Sequence, residues 1–404
     1  MSRLALIVAM AVGFAAVSSV SRAEEPQVSR AVAKTLKAAN DALQAKNYAE
    51  VLAKTREAAA ITPRTAYDDY VIHYMQLPAF AAQSNYPETA SAIESIIDSP
   101  YLPSTSKPQL LRTLMSILYQ QKDYDKAIQY GQRALAAGDL SGDTPLLIAQ
   151  SYYLTNRFKE ALNGMEAIVA RDEQAGRKPA EKSLSLIWSC ALKTKDEAAA
   201  ARAVEKLILH YPKPDYWSNA MAGVLKNKTT DDRLLLMTYR LMAQVGILKR
   251  GADFTEMAQI ALDQGNPGEA QTVLEQAFAK NLYSDPHDKE RSQRLLEKVR
   301  RSAIEDRASM AREEKEAAAT ATGDGLVQIG AAYLGFGLPD KALASISAGI
   351  AKGKLKYADE AYMLLGIANE RTKNNAEAVR AFNRATNDPK YAQLAKLWAL
   401  EARS

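Results

Sequence analysis

Three histidines, one cysteine and a large stock of tyrosine are where this 404-residue chain could do chemistry. His73, His210 and His287 lie far apart, and none has a second histidine, a cysteine or a carboxylate at a recognised ligand spacing. His287, in Asp-Pro-His-Asp-Lys, is at most an adventitious metal site. Cys190 stands alone in the apolar stretch SLIWSCALK beside Trp188, so it closes no internal disulfide and reads as a small buried hydrophobe. No GxSxG or Walker-type glycine loop occurs, and Gly323-Asp324-Gly325 reads as a turn. The acids sit largely at helix starts and turns, where they cap and solubilise. No catalytic, metal or cofactor site follows from these residues.

Recognition is the chemistry that remains. The chain has 19 tyrosines against 7 phenylalanines, and tyrosine offers rigid contact area with a hydrogen-bonding end. Charge adds little. The formal net charge is +5, and losing residues 1–23 would remove Arg3 and Arg22 and no acid, which lowers it to +3. Nothing in that balance argues for nucleic acid or an anionic membrane.

The elements that must position these tyrosines are clearest between Tyr362 and Pro389, YMLLGIANERTKNNAEAVRAFNRATNDP. Tyr362, Leu365, Gly366 and Asn369 share one face of a first helix by helical spacing, and Ala378, Phe382 and Ala385 share one face of a second. The turn Thr372-Lys373-Asn374-Asn375 separates the two, and Pro389 stops the second. Gly366 and Ala378 are small where the two helices must approach closely.

The pattern recurs. Gly330 and Ala342 repeat the spacing of Gly366 and Ala378. Further copies run through Met257, Ala261, Gly265 and Ala270, through Ile148, Tyr152, Ala161 and Met165, and through Leu114, Leu118, Ala127 and Gly131. The turns agree: KDYDKA, NRFKEA, GNPGEA, GLPDKA and NNAEA. Ala127 and Ala161 lie 34 residues apart, and Ala342 and Ala378 lie 36 apart.

This spacing resembles the tetratricopeptide repeat (TPR), with Asn369 where that family prefers Tyr. The resemblance implies an all-α fold, a right-handed α-solenoid of TPR-like helix hairpins. Mature length divided by the period gives roughly nine or ten of them. In such solenoids the first helices line a concave groove, which places Tyr74, Arg112, Tyr119, Gln150, Tyr153 and Gln259 on its wall. Tyr152 and Tyr333 fall at packing positions between helices. Some members clamp a partner's C-terminal carboxylate with Lys and Asn; here those places hold Ser116, Gln150 and Ala331, so that clamp is not expected.

In chain order, residues 1–23 read as a signal peptide. Arg3 precedes an apolar run from Leu4 to Val17, too short for the ~20 residues of a membrane span, and Ser21-Arg22-Ala23 ends in a cleavage pattern. Residues 24–103 read as N-terminal hairpins, with a kink or break expected at Pro78 and Tyr86-Pro87-Glu88 as a turn. A central array spans 104–282, with a candidate hinge at 171–182. Residues 283–321 form a charged helical insert with nine basic and nine acidic residues from Asp285 to Glu316. It is expected as a poorly packed spacer helix pair rather than a docking helix. A C-terminal pair fills 322–404.

The reading is a non-catalytic periplasmic scaffold that holds a protein or extended peptide, with no membrane insertion after the leader is cleaved. Residues 213–277 are similar to periplasmic TPR proteins that accompany TonB-type energy-transducing machinery, which gives one alternative. A cell-wall or glycan-binding module using the groove tyrosines is another.

Overall fold

The computed structural model describes residues 26–226 and 231–404. The expected signal peptide at 1–23 lies outside them. Every regular element described is an α-helix, and among the described residues none is long and apolar enough to cross a membrane.

The chain forms two compact units. The N-terminal unit, described over residues 26–177 and 189–196, holds α1 (Arg30–Gln44), α2 (Tyr48–Ala60), α3 (Ala66–Ala82), α4 (Tyr86–Ile96), α5 (Lys107–Gln120), α6 (Tyr124–Ala136), α7 (Asp143–Leu154) and α8 (Phe158–Gln174). Helix α9 (Glu181–Thr194) contributes its last turns to this unit and its start to the next. The C-terminal unit holds α10 (Glu197–His210), α11 (Pro214–Lys226), α12 (Asp232–Gln244), α13 (Gly251–Asp263), α14 (Pro267–Ala279) and α15 (Pro286–Ala319). It ends with α16 (Asp324–Gly335), α17 (Pro339–Lys352), α18 (Ala358–Arg371), α19 (Asn375–Phe382) and α20 (Pro389–Glu401). The first boundary between units falls after Arg177, inside the polar connection 171–182.

One turn makes the hairpins. Lys46, Ser84, Lys122, Asn156, Lys195 and Lys373 all have positive φ (54–65°), and Gly265 and Gly337 occupy the same place at 75° and 70°. In each case the next residue donates its N–H to a carbonyl five residues back: Asn47 to Ala42 at 2.8 Å, Asp123 to Leu118 at 2.9 Å, Asn374 to Asn369 at 2.8 Å. This bond answers an orphan carbonyl of the first helix and reverses the chain. Asn47, Asn85 and Asp123 then cap the second helix by accepting from the N–H three residues on.

Small residues let the paired helices close. A Cβ built on Gly366 would lie 2.2 Å from a ring carbon of Phe382, and one on Gly330 would lie 2.3 Å from Ile346 Cγ1. The close approach at Gly366 is thus made against Phe382, while Ala378 is itself fully buried in the same core.

Three expectations are corrected. Pro78 does not break α3, which runs on to Ala82. Pro87 is not in a turn but at the second position of α4, where a missing N–H costs nothing because that donor has no intrahelical partner. The charged segment is one helix of 34 residues, not a pair. Leu296, Val299, Ala303 and Met310 are buried, and α15 packs on α13, α14 and α16. The mixed charges cover the opposite face.

The C-terminal unit also folds back. Helix α20 packs on α10, α11 and α12, and α18 reaches α12. One core joins Trp217, Met221, Leu234, Met237 and Leu241 to Tyr391, Leu394 and Trp398.

Two substitutions test these contacts. Gly366→Ala gains helix propensity of ~1 kcal/mol but overpacks a buried ring, and it should destabilise by ~1–2 kcal/mol net. Lys122→Gly relieves a left-handed backbone and should stabilise by up to ~1 kcal/mol. Urea titration of both variants checks the two signs.

Candidate partner-binding face

In the N-terminal unit the tyrosines are ordered by the repeat. Tyr119, near the end of α5, packs edge-on against Tyr124 at the start of α6, with ring centres 5.5 Å apart. One repeat later Tyr153 meets Phe158 in the same way at 5.4 Å. Each ring is half-buried over its hairpin turn, and each hydroxyl reaches the next first helix. Tyr119 donates to Gln150 Oε1 at 3.2 Å, and the Tyr153 hydroxyl lies 2.9 Å from Ser189 Oγ. Burial, with Tyr124 adding to it, raises the Tyr119 pKa, so the phenol stays protonated and able to donate.

Tyr74 belongs to a second group. It stacks on Tyr70 at 5.5 Å, Tyr70 stacks on Tyr67 at 6.1 Å, and Tyr101 closes edge-on against Tyr67 at 5.0 Å. Burial pushes the Tyr70 hydroxyl up to about 12, and Tyr74 and Tyr67 add to the shift. A cavity of about 550 Å³ opens beside this group, lined by Arg64, Asp69, Tyr70, His73, Asp98 and Tyr101.

The six residues expected on the wall divide as follows. Tyr119, Gln150 and Tyr153 are brought together on α5 and α7, and Tyr74 lies in the aromatic group on α3. Arg112 is already engaged: its Nη1 donates to Asp139 Oδ1 at 2.8 Å, and the buried Asp139 also accepts from Thr144. Gln259 is in the other unit, where its amide donates to both carboxylate oxygens of Asp263 at 2.9 and 3.0 Å. Ser189, Tyr67, Tyr70 and Tyr101 were not anticipated. Ser189 follows Tyr153 by 36 residues, and Tyr67, Tyr70 and Tyr74 follow helical spacing, so both signals were present. Asp285, His287 and Asp288 bring ligand atoms within 4.8 Å of one another, but all three are exposed and Asp285 caps α15.

The C-terminal unit holds charges that no sequence signal announced. Arg240 and Glu269, both buried, form a two-pronged ion pair at 2.7 and 2.5 Å. Burial alone would raise the Glu269 carboxyl; Arg240 overrides it and holds the pKa low. Burial and the adjoining Glu401 push the Glu370 carboxyl up to about 8, against an ordinary 4.5, although Gln244 donates to it.

The two glutamates give opposite pH signs. Glu370 binds more protons folded than unfolded, so its contribution to stability is complete at acid pH and falls as pH rises from about 4.5 to about 8. Glu269 contributes above the ordinary carboxylate range and loses that contribution as pH falls below it. Glu370→Gln is therefore expected to flatten the alkaline side of a stability–pH curve while leaving the acid side in place. Denaturant midpoints from pH 4 to 9 give the comparison.

The tetratricopeptide repeat family model matches residues 74–141 and 327–392. No curated protein matches by sequence. Among solved structures, the chain is similar to YrrB, described as a TPR protein with an unusual peptide-binding site, at 14% identity over 47% of this chain and 92% of that one, TM-score 0.34. A tetratricopeptide repeat protein from Parabacteroides merdae matches at 13% identity over 82% and 98%, TM-score 0.29. The TPR2AB domain of yeast Sti1, in a pHSP90 complex, matches at 12% over 74% and 100%, TM-score 0.25. The family model and the repeated hairpin turns agree on the repeat. The chain carries tetratricopeptide repeats, at residues 74–141 and 327–392.

Proposed function

We propose that the protein is a non-catalytic adaptor of the periplasm that holds a protein or extended peptide along the first helices of its N-terminal unit. The observation that carries the reading is the repeated pair Tyr119–Gln150 and Tyr153–Ser189, one repeat apart. An extended chain lying across α5 and α7 meets two equivalent aromatic positions in succession. Their hydroxyls link neighbouring first helices, so the contact surface is fixed before any partner arrives, which lowers the ordering cost of binding. The periplasmic part of the proposal rests on the leader-like pattern of residues 1–23.

A second reading, a glycan-binding module, is favoured by one observation. Tyr67, Tyr70 and Tyr101 cluster beside an open cavity rimmed by Arg64, Asp69 and Asp98, an aromatic and polar mixture suited to sugar rings.

Photo-crosslinking residues placed at Tyr119 and Tyr153 should capture the partner in cells, whereas the same residue at Leu135, exposed on the second helix α6, should not. Replacing both tyrosines by Ala should weaken capture by ~2 kcal/mol or more. The rings are half-buried, so circular dichroism must accompany the measurement. Equal crosslinking from α6, or normal capture by a folded double variant, overturns the reading. Labelling by peptidoglycan fragments at Tyr70 instead would establish the glycan alternative.

Export is tested separately. The mature N-terminus is expected near Glu24, in the periplasmic fraction. N-terminal sequencing that finds residue 1 on membrane-embedded protein refutes it.

A further inference from the structure

The fold-back of the C-terminal unit encloses a cavity of about 260 Å³ between α12, α13, α14, α16, α18 and α20. Its floor is buried: Met257, Val273, Leu334, Ile367 and Trp398 are apolar, and the Arg240–Glu269 pair lies among them. The rim is polar and exposed, with Gln244, Thr272, Gln276 and Arg371.

The two arginines at this site are not bonded alike. Arg240 is answered by Glu269 through two hydrogen bonds. Arg371 feels Glu269 and Glu370 nearby but makes no hydrogen bond or ion pair with a carboxylate among the described residues. Its Nη1 donates to the backbone carbonyl of Leu334 at 3.1 Å, and its other donors have no partner among the described residues. Glu370 points its carboxyl to Gln244 and Glu401 instead. Desolvation and the neighbouring Arg240 lower the Arg371 pKa, against the opposing pull of Glu269 and Glu370. A guanidinium edge with free parallel donors fits a carboxylate in two-pronged geometry.

We propose that this cavity binds a small organic carboxylate with an apolar tail, its carboxylate on Arg371 and its tail over Ile367, Leu334 and Trp398. The volume holds about nine waters, or an acid of roughly ten non-hydrogen atoms, which is too little for an extended peptide. The Gln276 amide stands on the same rim to receive a second polar group of the ligand. The site lies wholly in the C-terminal unit and is independent of the tyrosine face, so either can fail without the other.

Phenylacetate and its neutral isostere phenylacetamide are the probes, titrated into the full chain by calorimetry and by following the Trp398 indole N–H resonance. Phenylacetate is expected to bind and to move that resonance, with phenylacetamide much weaker. Arg371→Gln should weaken phenylacetate by about 5-fold, the scale of a charge pair at an exposed rim. Arg371→Lys should recover part of it, and Arg312→Gln on the exposed face of α15 should change nothing. If Arg371→Gln does not fold, the wild-type comparison of acid and amide decides alone. No binding of phenylacetate, equal binding of the amide, or full affinity in a folded Arg371→Gln protein overturns the proposal. So does a tripeptide ending in phenylalanine that binds more tightly than phenylacetate, because the occupant would then be a chain end.

Discussion

A left-handed residue between paired helices is the constraint on which the structure depends. An isolated amphipathic helix of 12 to 15 residues is marginal in water, and its apolar stripe needs a second helix. The turn supplies that helix at once and in a fixed direction, because the N–H after the left-handed residue satisfies a carbonyl of the helix just ended. Five lysines or asparagines and a serine occupy this position in preference to glycine, as against two glycines. Each non-glycine there is strained by roughly 1–2 kcal/mol. The strain is tolerated because the side chain at the tip is solvated and the hairpin behind it buries Ala127, Gly131 and their equivalents.

Buried aspartates extend the same logic from hairpins to neighbouring repeats. Asp68 is fully buried and accepts from the backbone N–H of Ser29 and Thr65, both at 2.8 Å, fastening the start of α1 to the start of α3. Burial disfavours its charge, and these donors more than offset that, so its pKa is lowered. Asp359 accepts from Asn387 and Asp388 and fixes the start of α20. Asp139 receives Arg112 and Thr144 between α6 and α7. A carboxylate that accepts several N–H groups is a rigid joint.

What the chain disclosed before folding is what short range decides. The turns at KDYDKA and NNAEA, the glycine at 366 and the 34-residue spacing of Tyr119 and Tyr153 are all local, and helix period with turn chemistry suffices to read them. Pro78 misled because tertiary packing holds α3 together across a missing hydrogen bond. Arg240 and Glu269 meet 29 residues apart, through α12 and α14, and Arg371 joins them only because α18 and α20 fold back. No periodicity encodes that return. Residues 285–316 hid it further, since sparse apolar residues on a charged helix read as a spacer, although Leu296, Val299 and Met310 suffice to seat α15.

The two units therefore offer a partner different physics. On the tyrosine face Arg112 is answered by Asp139, Tyr119 by Gln150 and Tyr153 by Ser189. Recognition there must draw on ring surface and shape, and added salt has little to screen. In the cavity of the C-terminal unit the floor is apolar, and the Arg371 guanidinium above it is hydrogen-bonded to the Leu334 carbonyl and to no carboxylate among the described residues. There the incoming group gains most by bringing charge, since the low-dielectric floor beneath the rim strengthens its attraction to Arg371.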